Sequence, residues 1–407
     1  MSGITIMLPI RAFMRVFLLC ICMSLLLLFL YITYFGSEID RPGLLRVAIG
    51  TNDSMNDTDK WKRISVIKGI KNILLWNELW GYRFGLGKAA FLNSGCRVDN
   101  CFITNNASLM PHENFDAILI HPPTQKTPKE FTNRRPDQIF VMFSNEPPDH
   151  MPSELKSFDN YFNWTMTYRS GSDFHLKYGE IIPLDTAPKT ETEATTMREQ
   201  MVHFGMNPAL GKTKLAIWLV SNCYARSNRQ GYVKVLKNYM DVDIFSKDGQ
   251  CGGEDRCPRS QNEDVCYDMI EKTYKFYFSF ENSICEEYVT EKFFEMMGRN
   301  IVPVVLGGAN YSAIAPPHSY ISALDYTPKQ LAKYLKELDS NDTLYAEYFW
   351  WKPHYTVRNL YGTSRQTFCD LCEALHSTPL KRGTVNGLEK WYMKESHCAN
   401  MPIIIRN

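Results

Sequence analysis

The sequence carries no GxGxxG fingerprint and no Walker A motif, so neither a dinucleotide-binding loop nor a P-loop is written into it. Excess charge is missing as well. Lys and Arg number 45 against 44 Asp and Glu, a net charge of +1, and so balanced a chain is not built to hold nucleic acid or another polyanion. The nine histidines show no HxxxH or comparable ligand spacing, which argues against a structural or catalytic metal. Asp241-Val242-Asp243 has the form of a metal-binding Asp-x-Asp, but it opens a strand candidate instead of closing one. Internal repeats and low-complexity tracts are absent, and so is any second long apolar run.

One such run is present. Residues 16–35 contain no charge, and as a helix they would rise about 30 Å at ~1.5 Å per residue, enough to cross a bilayer. Arg11 and Arg15 precede the run, and Glu38 and Asp40 follow it, which keeps the N-terminal end cytoplasmic. A cleaved signal peptide has a shorter apolar core and a small-x-small cleavage site, which Tyr34-Phe35-Gly36-Ser37 does not provide. The expectation is a cytoplasmic tail at 1–15, a signal anchor in membrane lipid at 16–35, a polar stem at 36–62 and a luminal body. Sequons at Asn52, Asn56, Asn106, Asn163, Asn310 and Asn341 all lie beyond the run. Of twelve cysteines, only Cys20 and Cys22 fall inside it, and an oxidising lumen would pair most of the rest.

Beyond residue 62, compact apolar runs alternate with polar and helical stretches. Residues 73–76 (ILLW), 116–121 (DAILIH) and 138–144 (QIFVMFS) read as buried strands of a parallel sheet. A polar connection at 188–213 precedes a second series. There 215–220 (LAIWLV) and 242–245 are strands around a helix at 232–240. Residues 276–280 and 301–306 (IVPVVL) are strands around a helix at 291–298. Thr327-Pro328 supplies a cap and a helix-compatible proline for a further helix. These patterns predict an α/β protein with domains at 63–200 and 213–365, facing each other across a cleft, and a C-terminal tail at 366–407.

Three constellations fall at predicted strand ends, where α/β sheets bind ligands. The turn from Ser221 and Asn222 to Arg229 follows a strand and opens a helix, so its arginines can clamp a pyrophosphate, although a solvated basic loop has the same composition. Glu281-Asn282 and Glu291-Lys292 share that sheet edge. A lysine there offsets charge on a departing diphosphate, whereas an ordinary charged first helical turn is the plainer account. In the first domain, Glu146 stands at a strand end before two prolines, which suits a general base or merely a turn.

Residues from about 100 to 372 resemble the α1,3-fucosyltransferases of glycosyltransferase family 10, of the invertebrate type and its N-glycan-core branch. The resemblance is carried by NEPP, by FNWTMTYRSGSDFHLKYGEIIP, by WLVSNCYARSNRQGYVKVL, and above all by FYFSFENSICEEYVTEKFF followed by IVPVVLG. It implies a GT-B arrangement of two Rossmann-like domains and a single-pass type II Golgi membrane protein with a luminal catalytic domain. It implies Glu146 as the base and Arg229 and Lys292 on the pyrophosphate of GDP-fucose. Ser221, Asn222, Tyr277, Asn282 and Glu291 would complete the donor pocket, and Arg169 would reach the cleft. No tightly bound cofactor follows, and a divalent cation would assist GDP release without protein ligands.

Cys369-Asp-Leu-Cys372 could serve zinc or redox chemistry together with Cys96 and Cys101, but in a lumen disulfides are the better reading. The resemblance implies that Cys96 and Cys101 pair with Cys369 and Cys372. The partners of Cys223, Cys251, Cys257, Cys266 and Cys285 stay open, and Cys398 would complete the pairing of the group. Two acceptors fit: the core N-acetylglucosamine of glycoprotein N-glycans, favoured by CGG…CPR and SICEEY, and the N-acetylglucosamine of lactosamine antennae. A non-catalytic glycan-binding relative would have lost the base or the phosphate contacts, and Glu146, Arg229 and Lys292 are all present.

Overall fold

A strand buried on both faces must be apolar throughout, and the chain's apolar runs fold accordingly. The computed structural model describes residues 69–77, 84–124, 131, 133–201, 207–255, 257, 263–378, 380 and 383–399. The first sheet contains β1 (Lys71–Leu75), β2 (Cys101–Thr104), β3 (Ala117–Ile120), β4 (Ile139–Ser144), β5 (Trp164–Thr167) and β6 (Phe174–His175). Their order is β2-β1-β3-β4-β5-β6, every pair parallel. All residues of β3 and β4 are buried.

The antiparallel strand β7 (Gly179–Pro183) and helix α2 (Glu191–Met201) lead to the second sheet; a short helix α1 (Ala89–Asn93) lies earlier, beside β2. The second sheet holds β8 (Lys214–Val220), β9 (Asp243–Ser246), β10 (Tyr274–Phe280), β11 (Val302–Leu306) and β12 (Ile321–Ser322), again all parallel, in the order β12-β11-β10-β8-β9. Helices α3 (Arg229–Leu236), α4 (Glu263–Thr273) and α5 (Glu291–Met297) connect them. Helix α6 (Pro328–Asp339) starts at the expected Thr327, whose hydroxyl accepts from Gln330 N at 3.3 Å while Gln330 Oε1 accepts from Thr327 N at 3.0 Å. A short α7 (Asp342–Ala346) follows, capped by Asn341.

The chain then returns to the first domain. β13 (Tyr355–Asn359) pairs antiparallel with β7, and α8 (Leu360–His376) packs Phe368, Leu371, Cys372 and Leu375 into the same hydrophobic cluster as Ile73, Ile103, Leu119 and Val141. The boundary expected at 365/366 thus falls within α8. Disulfides Cys96–Cys369 and Cys101–Cys372 staple this helix to the turn after α1 and to β2 across sequence separations of 273 and 271 residues. Cross-links closing loops of this length contribute about 2–5 kcal/mol. Sulfurs held in disulfides are not thiolate ligands, so these four do not form a zinc site. The other bridges are Cys223–Cys251, Cys257–Cys266 and Cys285–Cys398.

Asn106, Asn310 and Asn341 are exposed, as a glycosylated asparagine must be. Asn163 is not. It is 8% exposed, its Oδ1 accepts from Phe140 N at 2.8 Å and from Arg134, and its Nδ2 donates to Gly383 O at 3.2 Å. That amide is a structural clasp, and the folded chain leaves no room for a glycan there, contrary to the sequence expectation. Among the described residues no helix is long and apolar enough to cross a membrane. The run at 16–35, the stem expected at 36–62, Asn52 and Asn56 lie outside the described residues.

Candidate functional site

The carboxyl end of β4 delivers Glu146. Its backbone is held on both sides: Glu146 N donates to Ser144 Oγ at 3.1 Å, and Glu146 O accepts from Tyr392 OH at 2.6 Å. Pro147 and Pro148 then turn the chain through a short 3₁₀ segment, Pro148–His150. The turn brings His150 back so that Nδ1 donates to Glu146 Oε2 at 2.6 Å. This hydrogen bond is the main reason the Glu146 carboxyl is held below its ordinary pKa, against the upward push of burial. His121 and Lys292 add smaller effects of the same sign. Lys292 belongs to the other domain, and its charge acts on Glu146 from there.

The carboxyl end of β10 supplies the opposite wall. Glu281 is fully buried and accepts from Thr290 N at 2.8 Å and from Thr290 Oγ1 at 2.9 Å, closing the loop 281–290 onto the start of α5. Lys292 Nζ lies 2.9 Å from Glu291 Oε1, 3.6 Å from Glu281 Oε2 and 2.8 Å from Thr290 Oγ1. Burial alone would drive the Lys292 ammonium to lose its proton, but the two carboxylates outweigh it and raise its pKa. Glu291 has the opposite balance: burial pushes it up, and Lys292 brings it below the ordinary value. Glu281 is raised, because burial exceeds the help of Lys292. The result is a lysine that keeps its charge at the strand ends, with a side chain 17% exposed.

Arg229 occupies the first position of α3 and is 1% exposed. It donates to Phe280 O at 2.5 Å and to Asn222 O at 3.1 Å, so it ties the β8 turn to the end of β10. Asn222 Oδ1 accepts from Tyr224 N at 3.0 Å, and Ser221 is exposed beside it. Some of the buried polar atoms without a protein partner lie at this edge: Arg229 Nε, Asn282 Oδ1, Ser283 Oγ and Tyr311 OH; Asn145 Oδ1, at the end of β4, is another. Buried polar groups are normally hydrogen-bonded, and unpaired ones at strand ends suit a polar binding site. Backbone approach is also close here. A methyl group on Gly308 would lie 2.9 Å from Cys285 N and O, so only glycine lets β11's exit pass the 281–290 loop.

Two expected site residues take other places. Tyr277 packs in the cluster of Ile217, Phe245, Ile270 and Met296, where burial pushes its phenol up. It forms part of the core behind the site instead of the pocket surface, because the middle of a two-sided parallel strand points into packing on either face. Arg169 is already engaged: it donates to Ser396 Oγ at 2.8 Å, to Glu395 O at 3.2 Å and to Trp391 O, and its Nε lies 3.5 Å from Glu287 Oε2. It joins the domains instead of lining an open cleft. The same junction holds Tyr168 against Tyr288, ring centroids 5.2 Å apart, and places Cys285 and Tyr288 in the first domain's core. Sequence reasoning missed His150, Thr290 and Tyr392. Only His150, four residues after the candidate base, carried a local signal.

Two family models match the chain: "Fucosyltransferase, N-terminal" over residues 68–179 and "Glycosyltransferase family 10 (fucosyltransferase) C-term" over residues 209–391. Among curated proteins it is 33% identical to Alpha-(1,3)-fucosyltransferase C of Drosophila melanogaster, covering 84% of this chain and 83% of that one. Glycoprotein 3-alpha-L-fucosyltransferase A of the same species is 34% identical, over 80% of this chain and 60% of its own length. A human 4-galactosyl-N-acetylglucosaminide 3-alpha-L-fucosyltransferase is 32% identical, over 79% and 82%. A solved α1,3-fucosyltransferase with GDP superposes at a TM-score of 0.46 with 18% identity, covering 78% of this chain and 94% of that one.

Proposed function

The chain belongs to glycosyltransferase family 10, the fucosyltransferases, and we propose that it transfers L-fucose from GDP-β-L-fucose, with inversion, to the 3-hydroxyl of an N-acetylglucosamine in glycoprotein N-glycans. The observation that carries this reading is Glu146 at the carboxyl end of β4, held by His150 at 2.6 Å, together with Lys292 held between Glu281 and Glu291 at the start of α5. Glu146 takes the hydroxyl proton as the acceptor oxygen attacks the anomeric carbon. The bond to GDP breaks on the opposite face, so a β-linked donor gives an α-linked product. Negative charge grows on the departing diphosphate, and Lys292 meets it from a low-dielectric wall where such a contact is strongest. Arg229 holds the carbonyls of Phe280 and Asn222 in place and adds its own charge. Ser221, Asn222, Asn282 and Glu291 supply the remaining polar contacts to nucleotide and sugar. A divalent cation, where it assists release of GDP, would sit on the diphosphate.

The favoured acceptor is the core N-acetylglucosamine, supported by the segment bearing Cys251, Cys257 and Cys266, of which Cys251 is bridged to the donor turn at Cys223. The lactosamine-antenna reading draws on the name of the human relative. Incubation with GDP-fucose and a panel of defined core and antennal acceptors, read by glycan mass spectrometry, tests the choice. Fucose on the chitobiose core is the expected product, and fucose confined to antennae overturns the core assignment.

The same reading places the protein in the Golgi membrane as a single-pass type II protein, anchored by residues 16–35. Sealed vesicles should protect the body from protease and retain the protein through alkaline carbonate. Release by carbonate would remove the anchor.

A further inference from the structure

Once its backbone is clamped between Ser144 and Tyr392, the catalytic carboxylate moves only through the torsions of its own side chain. The turn Pro148–His150 restricts them. His150 N donates to Pro147 O at 2.9 Å, fixing the turn, and the ring then reaches Glu146 at 2.6 Å. Because a carboxylate only accepts, Nδ1 must carry the hydrogen. Oε2 is thereby occupied, and Oε1 has no protein partner among the described residues. We infer that His150 is a positioning residue for transfer: its Nδ1–H fixes Glu146 Oε2 and leaves Oε1 as the single oxygen aimed at the acceptor hydroxyl. This rests on the reading of Glu146 as the base.

The ring does more than orient. A hydrogen bond to the ionised form keeps a carboxylate ionised at lower pH, in line with the depressed Glu146 pKa. The other titratable or charged groups that act on this carboxylate are His121, which is committed to Phe143 O at 3.0 Å, and Lys292 of the facing domain. Tyr288 and Tyr392 adjoin it and are held protonated by burial. Asp149, next to His150, is engaged by Arg226 at 3.3 Å. None of these makes the hydrogen bond that His150 makes.

The test compares His150→Leu with His150→Asn, whose amide nitrogen stands near the position of Nδ1. Steady-state rates are measured across pH with GDP-fucose and an N-acetylglucosaminide acceptor, and GDP binding serves as the folding control. His150→Leu is expected to lower kcat by roughly 10–100-fold, as a misdirected catalytic group does, with the KM for GDP-fucose unchanged. The acidic limb of its kcat/KM profile should move to higher pH, because losing the donor lets Glu146 protonate sooner. His150→Asn should restore both. Equal defects in the two variants, or an acidic limb that stays in place in His150→Leu, overturn the proposal. Glu146→Gln separates the premises: if that variant still transfers fucose, the base assignment fails, and His150's role with it.

Discussion

Glu146→Gln is expected to cut fucosyl transfer by about 10²–10⁴-fold, the typical contribution of a positioned base, while GDP still binds with wild-type affinity. The amide has the shape of the carboxylate and reaches the same place, but it cannot accept a proton. Nothing on the donor wall depends on it: Lys292 pairs with Glu291 and Glu281, and Arg229 with carbonyls of its own domain. Single-turnover transfer gives the rate and calorimetry the GDP affinity. Undiminished transfer would remove Glu146 from the chemistry. The wild-type pH profile carries the same information. With its pKa lowered by the His150 hydrogen bond, Glu146 stays ionised to a lower pH than an ordinary glutamate, and activity should fall as pH drops through that lowered value.

Lys292→Met should lower kcat with GDP-fucose by about 10²–10³-fold, the scale of losing one preorganised electrostatic contact, and weaken GDP binding as well. The change also leaves Glu281, fully buried, without its cation. Burial already raises that carboxyl, so in the variant it takes up a proton on folding. A group whose folded pKa is raised contributes stability below its unfolded pKa and loses it as pH rises through the folded value. The variant should therefore melt at higher temperature in mild acid than at neutral pH. Adding Glu281→Gln should recover stability at neutral pH without recovering the rate. Recovery of both would mean that Lys292 serves only to neutralise Glu281.

The strands easiest to read in the sequence were those most deeply buried. β4, β10 and β11 are covered on both faces, so IFVMFS, YKFYFSF and VPVVL stand out from their polar surroundings. β5, with the sequence WTMT, alternates threonine with apolar residues, and β6 has two residues, so neither forms a run. Helix α3 begins at Arg229 instead of near Tyr232, because Asn228 enters it with φ 51° and its first residues, Arg229-Gln230-Gly231, are polar enough to read as a turn. At the site, Glu146 and Lys292 were legible because strand-end position and residue type coincide. Tyr392 was not, since it meets Glu146 across 246 positions of sequence. Arg229 was legible as a residue but not in its burial: two carbonyls occupy its guanidinium, and only the folded turn supplies them.

Helix α8 sets a timetable for the chain as it is made. The first sheet emerges early from the ribosome, yet its core lacks Phe368, Leu371 and Leu375 until α8 arrives. The partner thiols of Cys101 and Cys372 are 271 residues apart, which at about 5–20 residues per second is a wait of roughly 14–54 s. During that interval the second sheet can fold as a unit, whereas the first exposes apolar surface and two unpaired thiols, Cys96 and Cys101. The amino-terminal domain is thus finished last, and a message truncated before codon 360 yields a half-built domain for chaperones to hold or proteases to clear.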